Sequence, residues 1–90
     1  MKVEFKRSFK EDLKKIKDKK ILQKVKELIN EIEKVKNLSN IQNINIRKIK
    51  GYEDFYRIRI GNYRIGIKIE GDKIIFVRIL HRKDIYKYFP

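Results

Sequence analysis

Val3 and Phe5 alternate with charged neighbours across residues 2–6, and this spacing of two predicts a short strand. The period then lengthens. Phe9, Leu13 and Ile16 recur at helical spacing, and Ile21, Val25, Leu28, Ile29, Ile32 and Val35 continue as an apolar stripe backed by Lys and Glu. Ser8, with Glu11 three residues later, fits a capping box for a first helix running to about Lys17. Asp18 is placed to cap the second. Two amphipathic helices in succession predict a helical hairpin with both stripes turned to a common core. The segment NLSNIQNIN, residues 37–45, breaks the pattern and reads as a loop.

A period of two returns in the second half. A strand is expected near Ile46–Lys50, then a turn at Gly51. Residues 54–60, 63–70 and 73–80 alternate strongly and are rich in Ile. Gly61-Asn62 and Gly71-Asp72 separate them, and both pairs supply the positive φ that tight hairpin turns need. LHRKDIYKYF, residues 80–89, leaves the last strand as a short helix or tail. The expected fold class is α+β: an N-terminal strand, a helical hairpin, an antiparallel β-meander and a short C-terminal helix. The 90 residues show no repeat and no Gly/Ser linker, so one domain, 1–90, is expected.

With Gly61-Asn62 as a two-residue turn, Ile60 pairs with Tyr63, Arg59 with Arg64, Ile58 with Ile65, and Arg57 with Gly66. Directly opposed residues share a face. Arg57, Arg59 and Arg64 therefore point one way, while Ile58, Ile60, Ile65, Ile67 and Ile69 point to the core. Opposed cations repel across a strand pair, so stability alone does not account for them. Gly66 opposite Arg57 leaves a gap for a close approach. The pattern predicts a cradle for an anion such as phosphate, set against the plainer reading of a solvated cationic strand face. Continuing through the Gly71-Asp72 turn, Ile75, Val77, Ile79 and His81 are expected on the arginine face. Arg82 and Tyr86 follow at helical spacing.

Composition sharpens this picture. Lys and Arg number 25 against 12 Asp and Glu, a net charge of +13, which favours polyanionic partners. Arg7 is the only arginine before Arg47; the others, Arg57, Arg59, Arg64, Arg78 and Arg82, lie in the second half. Lys suits a solvated helix surface, whereas Arg grips phosphate through two parallel hydrogen bonds. With no Cys and one His, neither disulfides nor a thiolate or imidazole metal site is expected, and no cofactor is implied. No apolar run is long enough to span a bilayer, and MKVEFKRSF lacks the apolar stretch of a signal peptide. A cytoplasmic protein without a membrane partner is expected.

KIKGYEDFYRIRIGNYRIGI followed by LHRKDIYKYF resembles the RelE family within the RelE/ParE toxin superfamily, and the order of elements extends the likeness over nearly the whole chain. The resemblance implies a type II toxin–antitoxin system toxin, silenced by a RelB-like antitoxin, that enters the ribosomal A site and cuts mRNA without a metal. It maps catalytic roles onto Arg57, Arg59, Arg64, Arg82 and Tyr86, with Tyr88 competing for the tyrosine's place. Arg57 and Arg59 would hold the scissile phosphate, Arg64 would stabilise the transition state, and Arg82 would orient the phosphate or aid the leaving oxygen. Tyr86 would stack on a base or move a proton. Family members often carry Lys where Arg57 and Arg59 stand; Arg does not readily release a proton, which leaves the general base open. Lys48, Lys50, His81 and Lys83 are candidate RNA contacts, and His81 is also a candidate acid–base group. Two alternatives remain: a ParE-type inhibitor of DNA gyrase without RNase activity, and a nucleic-acid binder that cleaves nothing.

Overall fold

The computed structural model describes residues 1–41 and 44–90. Its elements, in order, are β1 (Lys2–Phe5), α1 (Arg7–Lys15), α2 (Lys19–Lys34), a 3₁₀ turn (Leu38–Asn40), β2 (Ile46–Lys48), β3 (Phe55–Ile60), β4 (Tyr63–Glu70), β5 (Lys73–His81) and α3 (Ile85–Tyr88). The α+β order expected from the hydrophobic pattern is the one observed. The expected loop at 37–45 contains the 3₁₀ turn, and its residues 42–43 lie outside the described residues.

One five-stranded sheet has the order β1-β5-β4-β3-β2. The meander β2–β5 is antiparallel, whereas β1 joins β5 in parallel. Both helices pack on one face. Phe9, Ile16, Ile21, Val25 and Ile32 meet Ile58, Ile60, Ile65, Ile67, Ile74 and Phe76 in the main core. A second, smaller cluster forms on the other face, where Ile85 and Phe89 cover Ile49, Phe55, Val77 and Leu80. The short C-terminal helix therefore lies over the face that also carries the arginines.

Asp18 caps α2 as expected, its Oδ1 accepting from the N–H of Lys20 at 2.9 Å and of Ile21 at 3.3 Å. These donors have no partner within the helix itself. Asp18→Ala is expected to lower stability by about 1 kcal/mol, read as a shift in the urea midpoint with an unchanged slope.

Ser8 does not cap. It lies inside α1, whose N-cap is Lys6 without a side-chain hydrogen bond. Its hydroxyl instead donates to the Val77 carbonyl at 2.6 Å. The reason lies in β5. The β4–β5 register runs from Glu70↔Lys73 to Ile67↔Phe76, then resumes at Gly66↔Arg78, leaving Val77 as an extra residue in a β-bulge. Among the described residues, no strand lies beside the outer edge of β5 beyond Phe76. Ser8 and Asp12, one turn apart on α1, satisfy that edge: Ser8 takes the Val77 carbonyl and Asp12 accepts the Ile79 N–H at 3.2 Å.

The bulge reverses the alternation, so two positions differ from expectation. Ile75, opposite Lys68, stays on the arginine face, and Val77 packs there in the small cluster. Ile79 pairs with Ile65 and His81 with Tyr63, which puts both on the helix side of the sheet.

Candidate active site

The β3–β4 hairpin has the register its Gly-Asn turn dictates. Arg59 opposes Arg64, Arg57 opposes Gly66, and Gly61 adopts φ +55°. Arg47 on β2 opposes Arg57 from the other side. Four arginines from three strands thus share one face, and together with Asn45 they line a shallow pocket of about 130 Å³. Among the described residues none of these four has a carboxylate partner, whereas Arg78 pairs with Asp12.

Arg64 is the most constrained of the group. Its Nη1 donates to the Gly61 carbonyl at 3.0 Å and the Tyr63 carbonyl at 2.9 Å, which folds the side chain back against the hairpin tip. Desolvation, and then the charges of Arg59, Arg57 and Arg82, push its guanidinium below the ordinary arginine range, with Tyr86 acting in the opposite sense. A guanidinium in a protein stays protonated. The consequence is an uncompensated cluster of positive charge, and a bound anion would relieve it.

The turn after β5 closes the rim. Arg82 donates its backbone N–H to the Asn62 carbonyl at 2.8 Å, latching the turn to the hairpin tip. From there α3 crosses the arginine face and sets the Tyr86 ring over the Arg57 guanidinium, 5.4 Å from ring centroid to Cζ. Tyr86 is 61% exposed, so its outer ring face is open. Tyr88 stands over Arg78 instead, at 5.5 Å. Of the two tyrosines, it is Tyr86 that overlooks the pocket.

Gly66 is not an open gap. Phe89 lies on it so closely that a Cβ there would sit 2.6 Å from the ring. The expected approach at this glycine is made by the chain's own C-terminal segment, and the anion cradle is confined to the hairpin-tip half of the face.

The remaining candidates lie elsewhere. The His81 ring packs edge-on against Tyr63, on the opposite side of the sheet from the arginines, and its Nδ1 accepts from the Lys83 N–H at 3.2 Å. Lys48 opposes Tyr56 and so points away from Arg47. Lys48 and Lys50 flank a separate depression around Gly51 and Tyr52. Lys83 is exposed beside Arg82. Arg47 and Asn45 are pocket residues that the sequence pattern did not single out. The only signal for Arg47 was its place in an alternating strand, and its register depends on the conformation of the connection through 49–54. Among the described residues, no three His, Cys, Asp or Glu side chains are grouped so as to hold a metal ion, and no helix is long and apolar enough to cross a membrane.

A family model described as the ParE toxin of type II toxin–antitoxin systems matches residues 3–86. The chain belongs to the RelE/ParE toxin superfamily. The toxin is 50% identical over 90 residues, all of both chains, to Toxin RelE3 of Methanocaldococcus jannaschii. It superposes with a TM-score of 0.84 on a chain of the RelB–RelE antitoxin–toxin complex from Methanococcus jannaschii, at 47% identity over 97% of this chain and 99% of that one. A chain of the archaeal RelE–RelB complex from Pyrococcus horikoshii OT3 shares the fold at a TM-score of 0.71 and 19% identity, over 90% of this chain and 93% of that one.

Proposed function

We propose that the toxin is a ribosome-dependent mRNA endoribonuclease. One observation supports this reading above the others: Arg57, Arg59 and Arg64, unneutralised and converging on one pocket, with Arg82 at the rim and the open face of Tyr86 above. In the reaction the RNA 2′-hydroxyl gives up its proton as its oxygen bonds the adjacent phosphorus, the P–O5′ bond breaks, and the leaving 5′-oxygen takes up a proton, so none is gained or lost overall. Charge accumulates on the non-bridging phosphate oxygens, where preorganised cations lower the barrier most. Arg57 and Arg59 hold the scissile phosphate, Arg64 stabilises the extra charge of the phosphorane, and Arg82 orients the phosphate at the leaving-group side. Guanidinium groups supply the charge a metal ion provides in other nucleases, so the proposed reaction is metal-independent. Tyr86, one face of its ring already on Arg57, offers the other to a nucleobase of the single-stranded message. His81 takes no acid–base role here because its ring lies on the far side of the sheet. Lys48, Lys50 and Lys83 would contact the RNA backbone outside the pocket.

Analysis of the new ends tests the chemistry. Attack by the 2′-hydroxyl leaves a 2′,3′-cyclic phosphate and a 5′-hydroxyl; a 5′-phosphate would instead mean attack by water, and would refute the proposed reaction.

A second reading has its own support, since the matching family model is that of ParE. On that reading the toxin inhibits DNA gyrase and leaves mRNA intact. The set of pocket arginines with Tyr86 favours the first reading. On either, we propose a RelB-like antitoxin as the controlling partner, supported by the two similar antitoxin–toxin complexes and by a charge of +13 that suits an acidic, wrapping segment.

A further inference from the structure

Arg78 differs from every other arginine of the sheet. Its Nε donates to Asp12 Oδ2 at 2.7 Å and its Nη2 to Oδ1 at 2.9 Å, a two-point pair with planar complementarity. Asp12 is only 5% exposed and also accepts the Ile79 N–H. All three of its contacts lie on β5, so the carboxylate fixes both the strand edge and the direction of the guanidinium. Hydrogen bonding to Asp12 holds Arg78 above the usual arginine range, and the charge of Asp12 and the neighbouring Tyr88 act in the same sense while burial opposes them. The same guanidinium stands over the Tyr88 ring. A continuous line of contacts therefore runs from α1 through β5 to α3.

What α3 carries makes this line matter. The helix is a single turn, too short to hold its own shape. Ile85 and Phe89, buried in the small cluster, hold the inner side of the turn, while Tyr86 and Tyr88 project from its exposed side. Tyr86 and Tyr88 are two residues apart and point to different neighbours, Tyr86 to Arg57 and Tyr88 to Arg78. Tyr88 on a guanidinium that cannot swing braces the exposed side of the turn, which the buried residues do not reach, and with it the place of Tyr86. We propose that Asp12, Arg78 and Tyr88 are positioning residues: the Asp12–Arg78 pair is a fixed seat for Tyr88, which sets the Tyr86 ring over Arg57. The positional part stands on the contacts alone, while its effect on cleavage rests on the endoribonuclease reading. The two tyrosines thereby take separate roles, Tyr86 facing the substrate and Tyr88 acting through Arg78.

The test uses the full chain with Tyr88→Leu, Tyr88→Phe and Asp12→Asn, each shown to be folded by circular dichroism. Two readouts are followed. The first is the NMR shift of the Arg57 side-chain protons, which the Tyr86 ring current moves and which needs no activity. The second is the single-turnover rate and half-saturating concentration for cleavage of ribosome-bound mRNA. Tyr88→Leu and Asp12→Asn should lose the ring-current shift. Their rate should fall about threefold, the scale of a cation–π contact at an exposed site, with half-saturation within about twofold because the pocket arginines are untouched. Tyr88→Phe should keep both, since the ring and not the hydroxyl makes the contact. A Tyr88→Leu protein that keeps the Arg57 shift overturns the proposal. So does a Tyr88→Phe protein as impaired as Tyr88→Leu, which would make the Tyr88 hydroxyl a participant itself. If Asp12→Asn does not fold, the exposed Tyr88 variants decide alone. If the wild-type toxin cleaves nothing, the endoribonuclease reading fails and the Arg57 shift still decides the positional claim.

Discussion

Arg64→Ala is expected to lower single-turnover mRNA cleavage by at least about 10²–10³-fold, the loss that follows when one preorganised donor to a developing oxyanion is removed. Stability should move the other way or not at all. Arg64 stands directly opposite Arg59 with no carboxylate between them, and like charges so placed destabilise a strand pair by roughly 0.2–1 kcal/mol. The hydrogen bonds it loses go to carbonyls at the hairpin tip, where water replaces them. The expected signature is a melting temperature equal to or above that of the wild type, with activity nearly abolished. That combination separates a residue kept for chemistry from one kept for the fold. A variant that cleaves at the wild-type rate would remove Arg64 from the mechanism, and one that is inactive only because it has unfolded would return it to the structure.

The second large effect comes from a residue with no side chain. Gly66→Ala places a methyl 2.6–2.7 Å from the Cγ, Cδ1 and Cδ2 atoms of Phe89. The ring lies flat on the strand and has no flexible end to bend away, so it must lift. Overpacking of this kind costs about 1–3 kcal/mol. The main core is on the other face of the sheet, so the loss should fall on the C-terminal turn and leave the chain folded. Amide exchange at Phe89, whose N–H is bonded to the Ile85 carbonyl at 2.9 Å, should speed up. Cleavage should fall as well, since Tyr86 reaches Arg57 only from a seated α3. Adding Phe89→Leu to Gly66→Ala returns room over the strand and should restore part of both. If Gly66→Ala keeps Phe89 protected and cleaves normally, the close contact is not what seats the helix.

How far the sequence could be read depended on how far each feature was local. The Gly61-Asn62 turn has two residues, so strand period and turn together dictate which residues oppose, and Arg59↔Arg64 and Arg57↔Gly66 could be read directly. The cap at Asp18 was equally local. The bulge at Val77 was not. It goes with a hydrogen bond that Ser8 donates to the Val77 carbonyl from 69 positions away. The contact takes up the Ser8 hydroxyl that was expected to cap, and the bulge itself puts His81 on the side of the sheet away from the arginines. The hairpin alone leaves a gap at Gly66, but Phe89 fills it, from a segment whose path no periodicity records. The place of Arg47 is not legible in the sequence because it depends on a turn of irregular conformation. The candidate site was therefore legible where a tight turn fixes it, and illegible where a third element closes over it.

On the proposed reading, the arginine face cuts mRNA on the ribosome. Purified, folded toxin added to ribosomes programmed with a defined mRNA, followed by mapping of the new 5′ ends, tests it most directly. Cleavage is expected at the A-site codon, dependent on the ribosome and lost in Arg64→Ala. Intact mRNA, with gyrase inhibited by the same preparation, would contradict it and would make the arginine face a docking surface for an anionic partner.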